Sequence, residues 1–305
     1  MTCALDAPHY NCVVTLPSGP RVSYAVDGDP SGQPVLCFLG MRGHRYFTYL
    51  YQGLARKHKI RLFGIDRPGY GLSDPLTTGD ATPAPIAFAH RVAELVDVLG
   101  IGEFGLVGGS AGAMFALAIA ANARLAPRIV SPVVLVAPWV GTNAAACPWL
   151  LKAASWLPQL AISRCVQLVL GSMNVSMTHL NGSHTVRILS NVEASADPLL
   201  MDELCVRINA EPNNVDDDVQ LGLGKDPRGY GVPLPHVRVP IYVIHAELDA
   251  LVPLQAAQEL VAGVPVGVLK VVPGATHSLL PFDDDTMDHV FGRVGAKATF
   301  RRSSL

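Results

Sequence analysis

The sequence has no C-x-x-C pair, no run of basic residues and no uninterrupted apolar stretch of 18 residues. Each absence removes a class of function. The six cysteines (Cys3, Cys12, Cys37, Cys147, Cys165 and Cys205) are scattered, and several sit inside apolar runs, so they read as buried thiols of a reducing compartment. Lys plus Arg number 23 against 25 Asp plus Glu, a formal net charge of −2. Without a basic patch, nucleic acid and anionic membrane surfaces are poor partners. No transmembrane segment is expected. Met1 to Tyr10 carries Asp6, Pro8 and His9 with no apolar core, so no secretory leader is expected and the cytoplasm is the expected location. The final Ser303-Ser304-Leu305 approaches the peroxisomal Ser-Lys-Leu address but lacks its basic middle residue, and that compartment is the lesser alternative.

What is present is apolar bulk. Half of the 305 residues are hydrophobic, enough for one large domain or a domain with a substantial insertion. The chain is organised around Leu106-Val107-Gly108-Gly109-Ser110-Ala111-Gly112-Ala113, a G-x-S-x-G pattern. Phe104 to Val107 reads as a buried strand, and Ala111 to Ala123 is rich in strong helix formers. A serine on a sharp strand-to-helix turn flanked by glycines is a nucleophile elbow, with its hydroxyl pushed out over a helix N-terminus. The bare pattern also fits an ordinary small-residue turn, so the rest of the chain has to decide.

Around this turn the chain alternates. Asn11 to Leu16 and Arg21 to Val26 read as an antiparallel hairpin. Pro34 to Leu39 and Ile60 to Ile65 are buried strands, with a helix expected over Tyr46 to His58 between them. Ile86 to Leu99 is helical, with Phe88, Val92, Leu95, Val96 and Leu99 on one face. Val133 to Ala137 is another apolar strand. Continuous apolar strands alternating with helices predict an α/β fold: a mostly parallel central sheet with helices on both faces. From Trp139 to Arg238 the alternation stops and only helices are expected, among them Met201 to Asn209 and Val215 to Gly222. Some 100 residues are too many for a structureless loop, so this stretch reads as a helical lid inserted over the sheet's carboxyl edge. The expected division is a core of residues 1–138, a lid of 139–238 and a core of 239–305. The last part holds a strand at Val239 to His245, a helix at Leu254 to Val261, a strand at Val266 to Val272 and a final helix near Asp285 to Phe300.

Acyl transfer by a serine needs a base, and the base needs an acid that fixes its tautomer. In an open parallel sheet these groups belong just beyond the carboxyl ends of strands. Asp249 follows the strand ending at His245, and His277 follows the strand ending at Val272. Ser110, Asp249 and His277 are therefore the candidate triad, with Glu247 the alternative acid. His245, inside a strand, reads as structural. Two backbone amides should bind the oxyanion: Ala111, directly after the serine, and Met41, on the glycine-bearing loop Gly40 to Arg45. His44 on that loop is a possible substrate contact.

With these residues in place the sequence resembles the α/β-hydrolase superfamily, in its lid-bearing branch of esterases, lipases and prolyl aminopeptidases. The resemblance spans about Gln33 to Leu280. It rests on Asp66-Arg67-Pro68-Gly69-Tyr70-Gly71-Leu72-Ser73-Asp74, the Ser110 elbow, Glu247-Leu248-Asp249 with Val252-Pro253, and Gly274-Ala275-Thr276-His277-Ser278. It implies the α/β-hydrolase fold and a Ser-Asp-His order. One departure is Leu39-Gly40 where the family often has His-Gly.

The expected function is a serine hydrolase of an ester-type bond (carboxylic ester, lactone or thioester) in a small-molecule substrate. No metal and no cofactor are expected. The apolar lid suggests a hydrophobic substrate, although helices facing a core would look the same. A triad-based lyase of C–C bonds, an acyltransferase, or a ligand-binding protein on the same scaffold are the alternatives. Physiological substrate and oligomeric state are not legible.

Overall fold

The computed structural model describes residues 4–77, 81–130, 132–139, 149–158, 161–162, 164, 198–277 and 284–295. Eight strands form one sheet: β1 (Cys12–Thr15), β2 (Arg21–Gly28), β3 (Gln33–Phe38), β4 (Ile60–Ile65), β5 (Gly105–Gly109), β6 (Val133–Val136), β7 (Ile241–Ala246) and β8 (Gly267–Val272). Their spatial order is β1-β2-β4-β3-β5-β6-β7-β8. The hairpin β1–β2 is antiparallel and β2 meets β4 antiparallel. Every later pairing is parallel.

The central strands are buried on both faces, which is why they read as continuous apolar runs. Side chains still alternate between the two sides. Leu36, Phe38, Leu106, Leu135 and Val243 join one core, and Val35, Cys37, Val107, Val134 and Ile244 join the other. The first core is closed by α2 (Ala84–Val98) and α3 (Gly112–Ala121), where Phe88 meets both Phe38 and Phe115 edge to face. The second is closed by α1 (Gln52–Lys57), the 3-10 turns of Arg45–Tyr51 that precede it, and the C-terminal helix Asp284–Gly295. The single helix expected over Tyr46 to His58 is thus divided. The aromatic and β-branched run Tyr46-Phe47-Thr48-Tyr49 winds tighter, and the α-helix begins at Gln52 where straighter side chains take over.

Between β6 and β7 the described residues hold no strand. They hold α4 (Trp149–Ala154), α5 (Pro198–Ala210) and α6 (Val215–Gly222), the last with the bounds expected. After β7 come α7 (Leu254–Gly263) and, after β8, α8 (Asp284–Gly295). Leu160, Val166, Leu168 and Val169 of the expected helical lid, the end of the last helix toward Phe300, and Ser303 to Leu305 lie outside the described residues, as do Cys3, Cys147 and Cys165. Cys37 is buried and free, and burial pushes its thiol pKa up to about 12. Among the described residues no helix is long and apolar enough to cross a membrane.

Candidate active site

Ser110 sits at the carboxyl end of β5 with φ 46, left-handed backbone that a serine adopts at a cost of about 1 kcal/mol. The turn is clamped from three sides. The Ser110 amide donates to Val136 O at 2.9 Å, and the Ser110 carbonyl accepts from Ala113 and Trp139 amides, each at 3.0 Å. The glycine two residues on is required by packing. A Cβ on Gly112 would lie 2.1 Å from Phe38 O and 2.4 Å from Leu39 O. Gly40, the glycine kept beside the Leu39 departure, is also required by packing, since a Cβ on it would lie 2.9 Å from Ser110 Cβ and 3.3 Å from its Oγ. The loop after β3 therefore runs against the serine at Gly40, with Met41 next in line. Among the described residues neither the Ala111 nor the Met41 amide is spent on a backbone hydrogen bond.

The structure brings Ser110, His277 and Asp249 together. Ser110 Oγ lies 3.0 Å from His277 Nε2, and His277 Nδ1 lies 2.7 Å from Asp249 Oδ2. This fits Nδ1–H donating to the carboxylate, which leaves Nε2 bare to accept the serine proton. Asp249 is seated by its own turn: Oδ1 accepts the amides of Leu251 at 2.9 Å and Val252 at 2.8 Å. Burial pushes the Asp249 carboxyl up. The hydrogen bond from His277, the Val252 amide and the nearby imidazoles outweigh it and hold the group below the usual carboxylate range. The loops carrying acid and base are stitched together, with Glu247 N donating to Val272 O at 3.0 Å and Leu248 N to Ala275 O at 2.9 Å. Glu247, the alternative acid, is exposed, and its Oε2 accepts the Gly274 amide at 2.9 Å. It braces the histidine's turn, while Asp249 meets the histidine.

His245 belongs to this neighbourhood as well. Fully buried in β7, its Nε2 lies 2.8 Å from Val252 O and 3.6 Å from Asp249 Oδ2. Burial drives its pKa down, which favours the neutral ring beside the carboxylate.

His44, the possible substrate contact on the Met41 loop, is buried. It is 4% exposed. Its ring stacks on Tyr46, with Nε2 3.0 Å from Glu211 Oε2 and Nδ1 3.7 Å from Asp66 Oδ1. Both ring nitrogens thus face carboxylates from a buried position. His44, Asp66 and Glu211 are also the one group of described residues whose spacing could hold a metal ion. The cation position is taken, however. Arg45 Nη1 lies 2.8 Å from Asp66 Oδ2 and 2.6 Å from Glu211 Oε2, and Nη2 lies 2.8 Å from Glu211 Oε1. Burial raises the Glu211 carboxyl pKa, but His44 and Arg45 together hold it far below its ordinary value.

A second buried pair was not legible in the sequence. Arg67, from the Asp66 to Asp74 stretch, pairs with Asp218 of α6, and Tyr70 donates to the same carboxylate at 2.6 Å. Partners 151 residues apart leave no local signal.

A family model described as alpha/beta hydrolase fold matches residues 33–284. Among solved structures, the chain is similar to a hydrolase from Pseudomonas aeruginosa PA01, with 16% identity, 94% of this chain and 98% of that one covered, and a TM-score of 0.62. It is likewise similar to an esterase from Exiguobacterium antarcticum (16% identity, 92% and 97% covered, TM-score 0.63) and a thermophilic esterase from Thermogutta terrifontis (20% identity, 92% and 96% covered, TM-score 0.62). No curated protein sequence matches the chain.

Proposed function

The chain belongs to the alpha/beta hydrolase fold family, and on that premise we propose that it is a serine hydrolase that cleaves an ester-type bond of a small, hydrophobic substrate. One observation carries the reading: the unbroken relay from Ser110 Oγ through His277 to Asp249, with hydrogen-bond distances at both steps. In the first half-reaction Ser110 Oγ attacks the carbonyl carbon as Nε2 of His277 takes the hydroxyl proton. Asp249 stabilises the imidazolium and stays ionised. The carbonyl oxygen becomes an oxyanion held by the Ala111 and Met41 amides. Collapse breaks the bond to the leaving alcohol or thiol, which receives the proton from Nε2. Water, deprotonated by the same nitrogen, then attacks the acyl-Ser110 ester, and the acid leaves as the proton returns to Ser110.

The apolar side of the substrate is supported by the insertion, which presents Trp149, Trp156 and Leu157 at the surface. A fluorophosphonate probe tests the reading. The wild type should be labelled stoichiometrically and Ser110→Ala should not be. Absence of labelling in folded wild type sinks the proposal, and labelling that survives Ser110→Ala places the nucleophile elsewhere. p-Nitrophenyl esters of increasing acyl length, beside an amino-acid arylamide, then separate esterase, lipase-like and aminopeptidase specificity. An acyl-Ser110 adduct trapped with a hydrolysable ester distinguishes this route from C–C cleavage.

A further inference from the structure

The loop that carries Met41 is bracketed by arginines whose counter-charges come from the insertion. On its upstream side Arg67 donates from Nη1 to Leu39 O at 2.9 Å and from Nη2 to Gly40 O at 3.0 Å. The same Nη2 is paired with Asp218 of α6. Arg67 and Asp218 are both buried, and the guanidinium also lies over the rings of Tyr70 and Phe115. On the downstream side Arg45 is held by Asp66 and by Glu211, the residue directly after α5. Between the two, Arg42 takes a left-handed backbone, φ 60, and donates to Asn209 of α5.

The upstream pair bears directly on the oxyanion. Gly40 C=O and Met41 N–H belong to one peptide unit, which is planar and trans, so they point in opposite directions. Fixing the carbonyl on Arg67 therefore fixes the direction of the Met41 amide. The guanidinium is a rigid fork, and its plane is set by the carboxylate it meets. Without Asp218 the buried cation would keep two neutral carbonyls and two ring faces but lose the carboxylate it pairs with, and it would move toward water and carry the carbonyls with it.

We propose that Asp218, acting through Arg67, is a positioning residue that aims the Met41 amide at the oxyanion, with Glu211 anchoring the loop's other end through Arg45. The segment between β6 and β7 thereby contributes to the geometry of catalysis. This rests on the serine hydrolase reading above.

The test compares Asp218→Asn, which keeps the shape and removes the charge, with Asp217→Asn, an adjacent residue on the same helix. Removing an oxyanion donor outright costs about 100- to 1,000-fold in kcat. Misaiming one should cost about 10- to 100-fold in kcat on a p-nitrophenyl ester, with KM within about twofold, because the donor acts on the transition state. The acid limb of the pH profile should not move, since His277 and Asp249 are untouched. Asp217→Asn should match wild type. The inference is overturned by unchanged kcat in Asp218→Asn, by a rise in KM at constant kcat, or by a loss that only follows the unfolded fraction in a thermal melt. If Asp218→Asn does not fold, Tyr70→Phe removes one donor from the same carboxylate, and a severalfold fall in kcat at constant KM is expected. Wild-type kcat in folded Tyr70→Phe then overturns it. Fluorophosphonate labelling of wild-type Ser110 keeps the two questions apart: an unlabelled wild type refutes the hydrolase, whereas a labelled wild type with an indifferent Asp218→Asn refutes only the positioning role.

Discussion

Asp249 has its second oxygen committed to two amides of its own turn, so its aim at His277 does not depend on solvent. Asp249→Asn keeps the size of the side chain but favours the wrong imidazole tautomer. A fall in kcat on the order of 10,000-fold is expected, measured on a p-nitrophenyl ester with the fold confirmed by circular dichroism. The same carboxylate makes stability depend on pH. Its folded pKa lies below the unfolded value of about 3.9, so its contribution is present above that value and is lost as pH falls through the folded one. Melting temperatures of wild type should therefore fall more steeply below about pH 4 than those of Asp249→Asn. His245 acts one step further out. His245→Ala leaves Val252 O without its partner and loosens the turn that seats Asp249, at a cost of about 1–3 kcal/mol by denaturant unfolding. That Ser110, Asp249 and His277 meet was legible because each follows a strand in the sequence, so the rules of an open sheet bring them to one edge. His44 was read as a substrate contact because it lies on the right loop. The carboxylates that bury it, Asp66 and Glu211, come from distant parts of the chain.

Among the elements, α3 is the least forgiving. It is buried over Gly112 to Ala120, and its first residue touches the end of β3. Gly112→Ala should fail to give folded, active protein, because backbone carbonyls cannot retreat from a Cβ 2.1 Å away as a side chain can. Soluble yield and fluorophosphonate labelling would show it. Phe88→Ala, opposite on α2, removes the ring between Phe38 and Phe115 and should cost about 3–5 kcal/mol by urea unfolding while leaving the triad in place. Elements buried on both faces were legible to within a residue or two. Ile60 to Ile65 was expected with the bounds it has, and so was the partly exposed helix Val215 to Gly222. The stretch from Tyr46 was not, because one hydrophobic periodicity serves a 3-10 turn and an α-turn alike.

At the scale of the whole molecule, the sheet's parallel middle collects the site. The loop after β3, the elbow after β5 and the turns after β7 and β8 all emerge at one carboxyl edge, which is the reason three residues spread over 168 positions can meet. That much follows from alternation of strand and helix. What alternation cannot convey is that Glu211 and Asp218, in the segment with no strand among its described residues, complete charge pairs with two buried arginines of the core. Those pairs limit how such a protein can be rebuilt. A foreign insertion grafted between β6 and β7 would bring its own taste in substrates, but it would strand Arg45 and Arg67 unless it carried acids at the same two places. On the positioning role proposed above, a chimaera that exchanges this segment has to transplant Glu211 and Asp218 to keep Arg45 and Arg67 paired.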